Sequence, residues 1–419
     1  MTWPVVTLND LQADEPRAIT DGPFGSNLAS RHYTESGPRV VRLQNIGDGR
    51  FIDEEARISQ EHFESLRAHE VKAGDLLVAS LGEVLPRACV APAYLGPAIV
   101  KADCIRVRLR PDVDQRWVLY AMQRPELRRW ADEHRHGVGR PRLGLKVIRQ
   151  IPVPVPPIAE QRRIVDFLED HLSRLDAADA SINRSLRRLS ALRDATLYQA
   201  VERAKFSPDI EVVTIRDIAK VSSGLTPLKG NKAFYDGGDI PWVTSGDLHQ
   251  GMVEKPTHFV TQTALDETTL KIVPAGSLLI AMYGEGKTRG TTAELGIDAT
   301  TNQACAAIVL HEPALRPWIR LVLDANYSKL RRLAAGGVQP NLNLSIVKAI
   351  EVPVPALELR AELLRQRVEL DDGNSRLRGE LLAAKRRSAS LRRALLAAAF
   401  SGRLTGAADL SDVEEMIRG

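Results

Sequence analysis

Ala281-Met-Tyr-Gly-Glu-Gly-Lys-Thr is the stretch of this chain whose residue types and spacing come nearest to a catalytic loop. It fits the looser form of a phosphate-binding loop, in which backbone amides cradle phosphates and the lysine reaches the outer ones. Such a loop must run directly into a helix. Here Arg289-Gly-Thr-Thr follows, which is turn-like, and Leu295-Gly-Ile carries no helical stripe. The expectation is that Lys287 and Arg289 meet a nucleic-acid phosphate or base, with a P-loop NTPase using Ala281–Thr288 as the alternative. His134 and His136 form a second candidate pair, but no cysteine or third histidine accompanies them. Flanked by Arg128, Arg129, Arg135 and Arg140, they are expected to face phosphate, and no metal site is expected. The chain has no Asn-Pro-Pro-Tyr or Asp-Pro-Pro-Tyr methyltransferase motif, no glycine-rich cofactor loop opening a helix, and no carboxylate pair beside a Glu-x-Lys. No catalytic residue is assigned, and the chain is not expected to be an enzyme by itself.

What remains are residues suited to reading bases. Arginine pairs bidentately with guanine, and asparagine or glutamine with adenine, each worth about 1–3 kcal/mol of discrimination. In the first part of the chain the candidates are Arg42, Gln44, Asn45, Arg87, Arg135, Arg140 and Arg142. In the second they are Thr244, Ser245, Asp247, Lys287, Arg289, Gln339 and Asn341. A solvated loop residue or a turn cap is the plain alternative for each.

The elements that would position these residues occur twice. Val153-Pro-Val-Pro superposes on Val352-Pro-Val-Pro, and Leu192-Arg193 on Leu391-Arg392, at a shift of roughly two hundred residues, far too long for a solenoid repeat. The prolines at 152, 154, 156 and 157 hold the chain extended, so a helix begins only after them. Leu168, Leu175, Ile182 and Leu189 then recur every seventh residue, with His171, Ala178, Ser185 and Leu192 three further on. In the second copy Leu363, Leu370, Leu377 and Leu391 keep this step, with Ala384 and Ala398 filling in. Sustained heptads of this kind argue for long helices paired as a coiled coil and meeting partners there, each on the order of 70 Å long at about 1.5 Å per residue. Gly373 and Gly379 weaken the second by about 1 kcal/mol each relative to alanine.

Between the helices lie strand-and-turn modules. Pro38–Gly49 alternates as a half-buried strand should, Gly74–Glu83 is a strand bounded by glycines, and Trp117–Trp130 spaces its apolar residues helically. Ile240–Gly251 stands where the Pro38 strand stood, Gly276–Glu285 matches Gly74–Glu83, and Gly336–Leu344 takes the place of the basic loop His134–Leu143. The skeleton is shared while the polar residues at strand ends differ. Arg140 and Arg142 stand against Gln339 and Asn341, so one scaffold carries two reading surfaces.

A length of 419 residues allows two or three domains, and a net charge of +4 permits nucleic-acid binding without demanding it. Cys89, Cys104 and Cys305 form no CxxC and suit a reducing compartment as buried small hydrophobes. No secretory leader and no membrane-length apolar run is visible, so a soluble cytoplasmic chain is expected.

Several motifs, in this order and duplicated, resemble the specificity subunit of type I restriction–modification systems: Asp21-Gly-Pro-Phe-Gly-Ser, Ser223-Gly-Leu-Thr-Pro, the strand endings Leu-Gly-Glu and Tyr-Gly-Glu, Val338-Gln-Pro-Asn-Leu, the Pro-rich helix start, and Phe400-Ser-Gly-Arg-Leu-Thr. The match departs at Leu359-Arg360, where the first copy has Glu160-Gln161, and at the join Lys205-Phe-Ser-Pro-Asp. The resemblance implies an α+β chain with two target-recognition domains, 1–150 and 205–350, related by a pseudo-two-fold axis. It also implies two antiparallel coiled-coil spacer helices, 151–204 and 351–405, and a tail, 406–419. It implies a DNA-specificity role on an asymmetric bipartite site in double-stranded DNA. Two methyltransferase (modification) subunits and restriction/translocase subunits would be the partners, with S-adenosylmethionine, magnesium and ATP belonging to them. A coiled-coil scaffold with no DNA role is the remaining alternative.

Overall fold

The computed structural model describes residues 3–137, 139–208, 210–284, 288–335 and 341–404. Lys287, Gln339 and the tail 406–419, all named above, lie outside them. The chain divides into two compact units: Met1–Ile182 with Ala383–Gly419, and Asn183–Leu382. This division crosses the long helices rather than falling at their roots, where the sequence places the domain ends. Each unit therefore owns one module and a half of each helix.

In the first unit a four-stranded antiparallel sheet runs in the order Ile19–Asp21, Cys104–Val107, Leu76–Ala79, Arg87–Val90. In the second, Ala219–Ser223, Cys305–Leu310, Leu278–Ala281 and Thr292–Leu295 repeat that order, with Met252–Val253 added in parallel at the edge. A second sheet in each unit rests on one parallel pairing: Arg39–Val41 with Ala98–Val100, and Trp242–Val243 with Thr300–Thr301. The expected correspondences between the modules are thus met by topology, not only by residue pattern. Two local expectations are revised. Pro38–Val41 is buried on both faces, because Val40 enters one apolar cluster with Ile58, Phe63 and Ile99 and Val41 another with Val71, Leu77 and Val100. Arg39 remains there by pairing with Asp53 (2.6 Å) and Glu55 (3.3 Å). Trp117–Trp130 is two helices, Gln115–Met122 and Pro125–His134, since Pro125 lacks the N–H needed to continue the first and opens the second.

The Pro-rich segments act as strands at the helix roots. Pro152–Pro154 pairs with Val5–Thr7, and Glu351–Val354 with Glu211–Thr214. Behind each pair a fully buried tryptophan donates its indole N–H to a proline-segment carbonyl: Trp117 to Pro154 O and Trp318 to Pro353 O, both at 2.7 Å. The helices then run Ile158–Lys205 and Leu357–Phe400, the second passing through Gly373 and Gly379 without a break. Within the first unit Asp176 pairs with Arg392 and Arg163 reaches Leu404 O; within the second, Arg193 meets Asp371 (2.7 Å) and Arg203 meets Glu362 (3.5 Å). As one number rises its partner falls, so the helices are antiparallel in both units.

Their packing is not a pure heptad seam. Leu168 and Leu363 are buried, and Leu175, Ile182, Leu189, Leu370 and Leu391 are half-buried, but Leu377 is 51% and Leu192 62% exposed. An α-helix drifts about 20° per heptad from a strict seven-residue step, which carries part of the row off the interface. Near the modules the stripe is wider and of globular type. Ile164, Val165, Leu168 and Leu172 pack with Leu395, Leu396 and Ala399 around Trp117, and Leu197, Val201 and Leu363 pack around Trp318. The Gln161 position explains one departure between the copies. Its buried amide accepts from Asp114 N (2.9 Å) and donates to Pro156 O (2.8 Å), whereas Arg360 takes the second copy's place.

Two glycines test this account in opposite directions. A Cβ on Gly379 meets nothing within 4 Å, while one on Gly224 would lie 1.8 Å from Thr301 O. Gly379→Ala is expected to raise stability by up to about 1 kcal/mol, and Gly224→Ala to lower it by about 2 kcal/mol or more. Urea midpoints followed by far-UV circular dichroism measure both.

Candidate nucleic-acid interface

In each unit the loops leaving the C-terminal end of the third sheet strand form one corner. Gly82 and Gly284 turn the chain there with φ of +154° and +137°, a region that side-chain-bearing residues avoid, which accounts for the shared Gly-Glu ending. Gly22 and Gly224 cross the end of the parallel strand so closely that a Cβ on either would lie within 2.4 Å of backbone. The two glycine motifs are therefore conditions for bringing the surrounding loops together.

In the first unit the basic loop folds back on that corner. His136 and Arg142 exchange backbone hydrogen bonds (3.0 and 2.9 Å), and Leu143 N donates to Ser80 O at 2.8 Å. This aims the Arg142 guanidinium at Asp103, 2.7 Å away, and places it over the half-exposed Phe24 ring at 5.8 Å. Arg87 reaches across to Leu43 O (3.0 Å), tying the Arg42–Asn45 turn to the same corner. Arg140 is exposed and forms no ion pair with the described residues, while Arg135 pairs back to Asp132 at 3.2 Å. Gln44 is exposed, with its amide on Glu54 (2.8 Å), and Arg42 donates to Glu55 O (3.3 Å). The Nε atoms of Arg42, Arg87 and Arg289 are buried and have no hydrogen-bond partner among the described residues, so any contact with a ligand falls to the outer nitrogens of these side chains.

Two expected readers are framework residues instead. Asn45 is buried: its Oδ1 accepts from Arg42 N (2.8 Å) and its amide donates to Ile52 O and Glu54 O (both 2.8 Å). Asp247 is buried, one oxygen accepting from Thr244 N and Oγ1 (2.8 Å each), the other from Thr257 N (3.2 Å) and Oγ1 (2.6 Å). Short polar side chains after a strand favour such local caps, and nothing in their spacing separates a cap from a base reader. Thr244 serves the same cap, and Ser245 beside it is half-buried.

The second unit builds its corner from neutral groups. Leu342 N donates to Met282 O (3.1 Å), as Leu143 does to Ser80 O, so exposed Asn341 occupies the place of Arg142. Met282 N bonds Ala304 O (2.7 Å) where Ser80 N bonds Asp103 O (2.9 Å), which sets Ala304 against Asp103. Thr226, opposite Phe24 in the repeat, hydrogen-bonds Gln303. Sequence reading did not single out Phe24, Asp103, Thr226 or Gln303 as site residues; comparing the two copies position by position was the signal that finds them.

The described residues on either side of the candidate nucleotide loop, 281–284 and 288–295, do not favour that reading. Ala281 N donates to Thr291 O (2.9 Å) and Gly290 N to Ala281 O (2.8 Å), so the strand Leu278–Ala281 turns back into its antiparallel neighbour Thr292–Leu295. Among the described residues no helix begins there to offer its N-terminus to a phosphate. His134 stacks on Trp130 (4.3 Å) and bonds its carbonyl through Nδ1 (2.7 Å). Among the described residues no three His, Cys, Asp or Glu side chains are grouped to hold a metal. Burial pushes the thiols of Cys89, Cys104 and Cys305 up to about 12, so none is a nucleophile at neutral pH. No helix among the described residues is long and apolar enough to cross a membrane.

The family model for the type I restriction modification DNA specificity domain matches residues 70–186 and 208–366. The specificity subunit of the type I restriction enzyme EcoR124I/EcoR124II of Escherichia coli is 25% identical over 215 residues, 49% of this chain and 52% of that protein. The MjaIX specificity subunit of Methanocaldococcus jannaschii is 26% identical over 194 residues, 45% of this chain and 44% of that protein. The chain thus spans about half the length of the curated relatives it matches. A chain solved in work on complex assembly and conformational transition of the type I R-M system superposes with a TM-score of 0.73 at 16% identity, covering 95% of this chain and 97% of that one. The crystal structure of the HsdS subunit from Thermoanaerobacter tengcongensis gives 0.50 at 16% identity, covering 96% and 97%. These structural likenesses establish the fold.

The Asp247 cap yields a pH prediction. Burial works against its charge, but donation from Thr257 and Thr244 outweighs this and holds the carboxyl below the usual range. A depressed folded-state value stabilises the fold above about pH 4, the unfolded value, and that contribution is lost as pH falls through the folded one. Asp247→Asn should therefore cost stability at pH 7, keep that cost down to about pH 4, and lose it below, as read by thermal melts between about pH 2 and 7.

Proposed function

Because the chain belongs to the type I restriction–modification DNA specificity family, we propose that it reads an asymmetric, two-part site in double-stranded DNA and directs partner subunits to it. Each module reads one half-site, and the long helices are the spacer element between the readers. Methylation and cleavage belong to two modification subunits and to restriction/translocase subunits, which supply S-adenosylmethionine, magnesium and ATP chemistry. The setting is the cytoplasm.

One observation carries this reading: equivalent corners of a duplicated scaffold hold different polar chemistry, arginine in the first unit and asparagine in the second. Guanine-type and adenine-type recognition differ in the same way, so an asymmetric site is the natural target. Arg42, Gln44, Arg87, Arg140 and Arg142 are the proposed first-module contacts; Ser245, Lys287, Arg289, Gln339 and Asn341 are those of the second.

A base-resolution methylation map of the host genome with and without this gene tests the reading. One gapped, asymmetric motif should lose methylation when the gene is removed. Persistence of every motif would count against it. Exchanging residues 206–346 for the second module of another family member should change one half-site only; a change in both would refute two independent readers. A scaffold without a DNA role predicts no steep fall in DNA binding with salt, whereas phosphate contacts require one.

A further inference from the structure

The geometry points to Arg142 as the residue that sets base specificity in the first module, with Asp103 and Phe24 holding its guanidinium in place. This rests on the proposed DNA reading and names its chemistry: a guanine in the first half-site, contacted through its major-groove acceptors.

Three features support it. Arg142 is fixed from its backbone outward, since its N–H and C=O both bond His136 and the next residue, Leu143, is fully buried. Its side chain remains 46% exposed, so the guanidinium is pinned without being enclosed. Asp103 binds it at 2.7 Å from a backbone with φ of +69°, a left-handed conformation that non-glycine residues rarely hold, and asparagine or aspartate most readily among them. Ser80 N donates to Asp103 O (2.9 Å), and the second module keeps this bond at Ala304 without the positive φ, so the left-handed turn goes with the aspartate. Strained residues of this kind persist where the surrounding structure demands a particular side-chain direction.

The second module serves as an internal control. It keeps the backbone bond from the strand end to the residue after the parallel strand, and the bond from the buried leucine, yet replaces all three side chains together. Asp103, Phe24 and Arg142 become Ala304, Thr226 and Asn341. A carboxylate kept merely to close the corner would be needed in both copies. It is present only where the arginine is; the Ser80 hydroxyl, Met282 in the other copy, also reaches it but at 3.4 Å, so the 2.7 Å pair with Arg142 is the closer contact. A carboxylate at a DNA-facing corner also repels phosphate unless paired, so the arginine and aspartate are retained or lost as a set.

The test places variants in the natural host, with its own partner subunits, and maps methylation at base resolution. The wild-type motif should contain a guanine in the first half-site preferred about ten-fold or more over other bases. Arg142→Ala and Arg142→Lys should reduce that preference to within about two-fold at this position alone, lysine lacking the planar fork. Asp103→Asn, which tolerates the left-handed backbone, should relax the same position to a lesser degree. The second half-site should stay unchanged throughout. A uniform fall in methylation with every base preference intact would show the pair to be structural and overturn the inference. A wild-type first half-site with no G·C pair, or relaxation in the second half-site, would also overturn it. Absence of any gapped motif with the wild-type gene would instead defeat the underlying DNA reading.

Discussion

Each half of the chain depends on one buried hydrogen bond, from a tryptophan indole to the proline-rich strand at a helix root. The proline residues cannot complete a sheet, so that strand pairs on one edge only and its free carbonyl needs a donor from within the core. Trp117 and Trp318 supply it while filling the space between module and helix. Leaving such a carbonyl buried and unpaired costs about 1–3 kcal/mol, beyond the packing of the ring. The same two side chains are the centres around which the helix residues gather: Leu168, Leu172, Leu395 and Phe400 in one unit, Leu197, Val201 and Leu363 in the other. Helix segment and module thus share one core in each half, which is why the compact units divide within the helices.

Duplication separates what the scaffold requires from what the recognition surface is free to change. The glycines at 22 and 224 and at 82 and 284 are retained because the backbone leaves no room or no alternative conformation. The cap pairs Thr7–Asp10 and Thr214–Asp217 are retained for the helical turns they start. At the corner served by these glycines, side chains differ from copy to copy while the backbone bonds beneath them persist.

The electrostatics follow the same logic. Arg108 pairs with Asp75 (2.8 Å) and Arg367 with Asp324 and Asp371, while buried Arg106 donates to the carbonyls of Glu70 (3.0 Å) and Arg17. These buried and half-buried pairs satisfy charge that the fold would otherwise strand, and need not add much net stability. At the loop corner Arg142 is paired while half-exposed, and Arg140 has no ion pair among the described residues. A mildly basic net charge of +4 conceals this local difference, since total charge says nothing about where unpaired cations stand.

The sequence by itself determined the duplication, the proline-marked helix starts, the long helices and the correspondence of strands, because these rest on local rules: periodicity, missing donors and glycine conformations. The family came from the resemblance of the ordered, duplicated motifs, which these rules do not themselves supply. Only the tertiary structure decided which polar residues are framework. Asn45 and Asp247 carry the same functional groups as a base reader, and their burial depends on carbonyls and hydroxyls seven to ten residues away that fold back over them. Leu377 shows the same limit on an apolar residue: its seven-residue step is regular, but the face it occupies is set by helix twist and by what lies opposite. Asp103 and Phe24 meet Arg142 across long stretches of chain, and no local pattern announces a contact made by three separate loops.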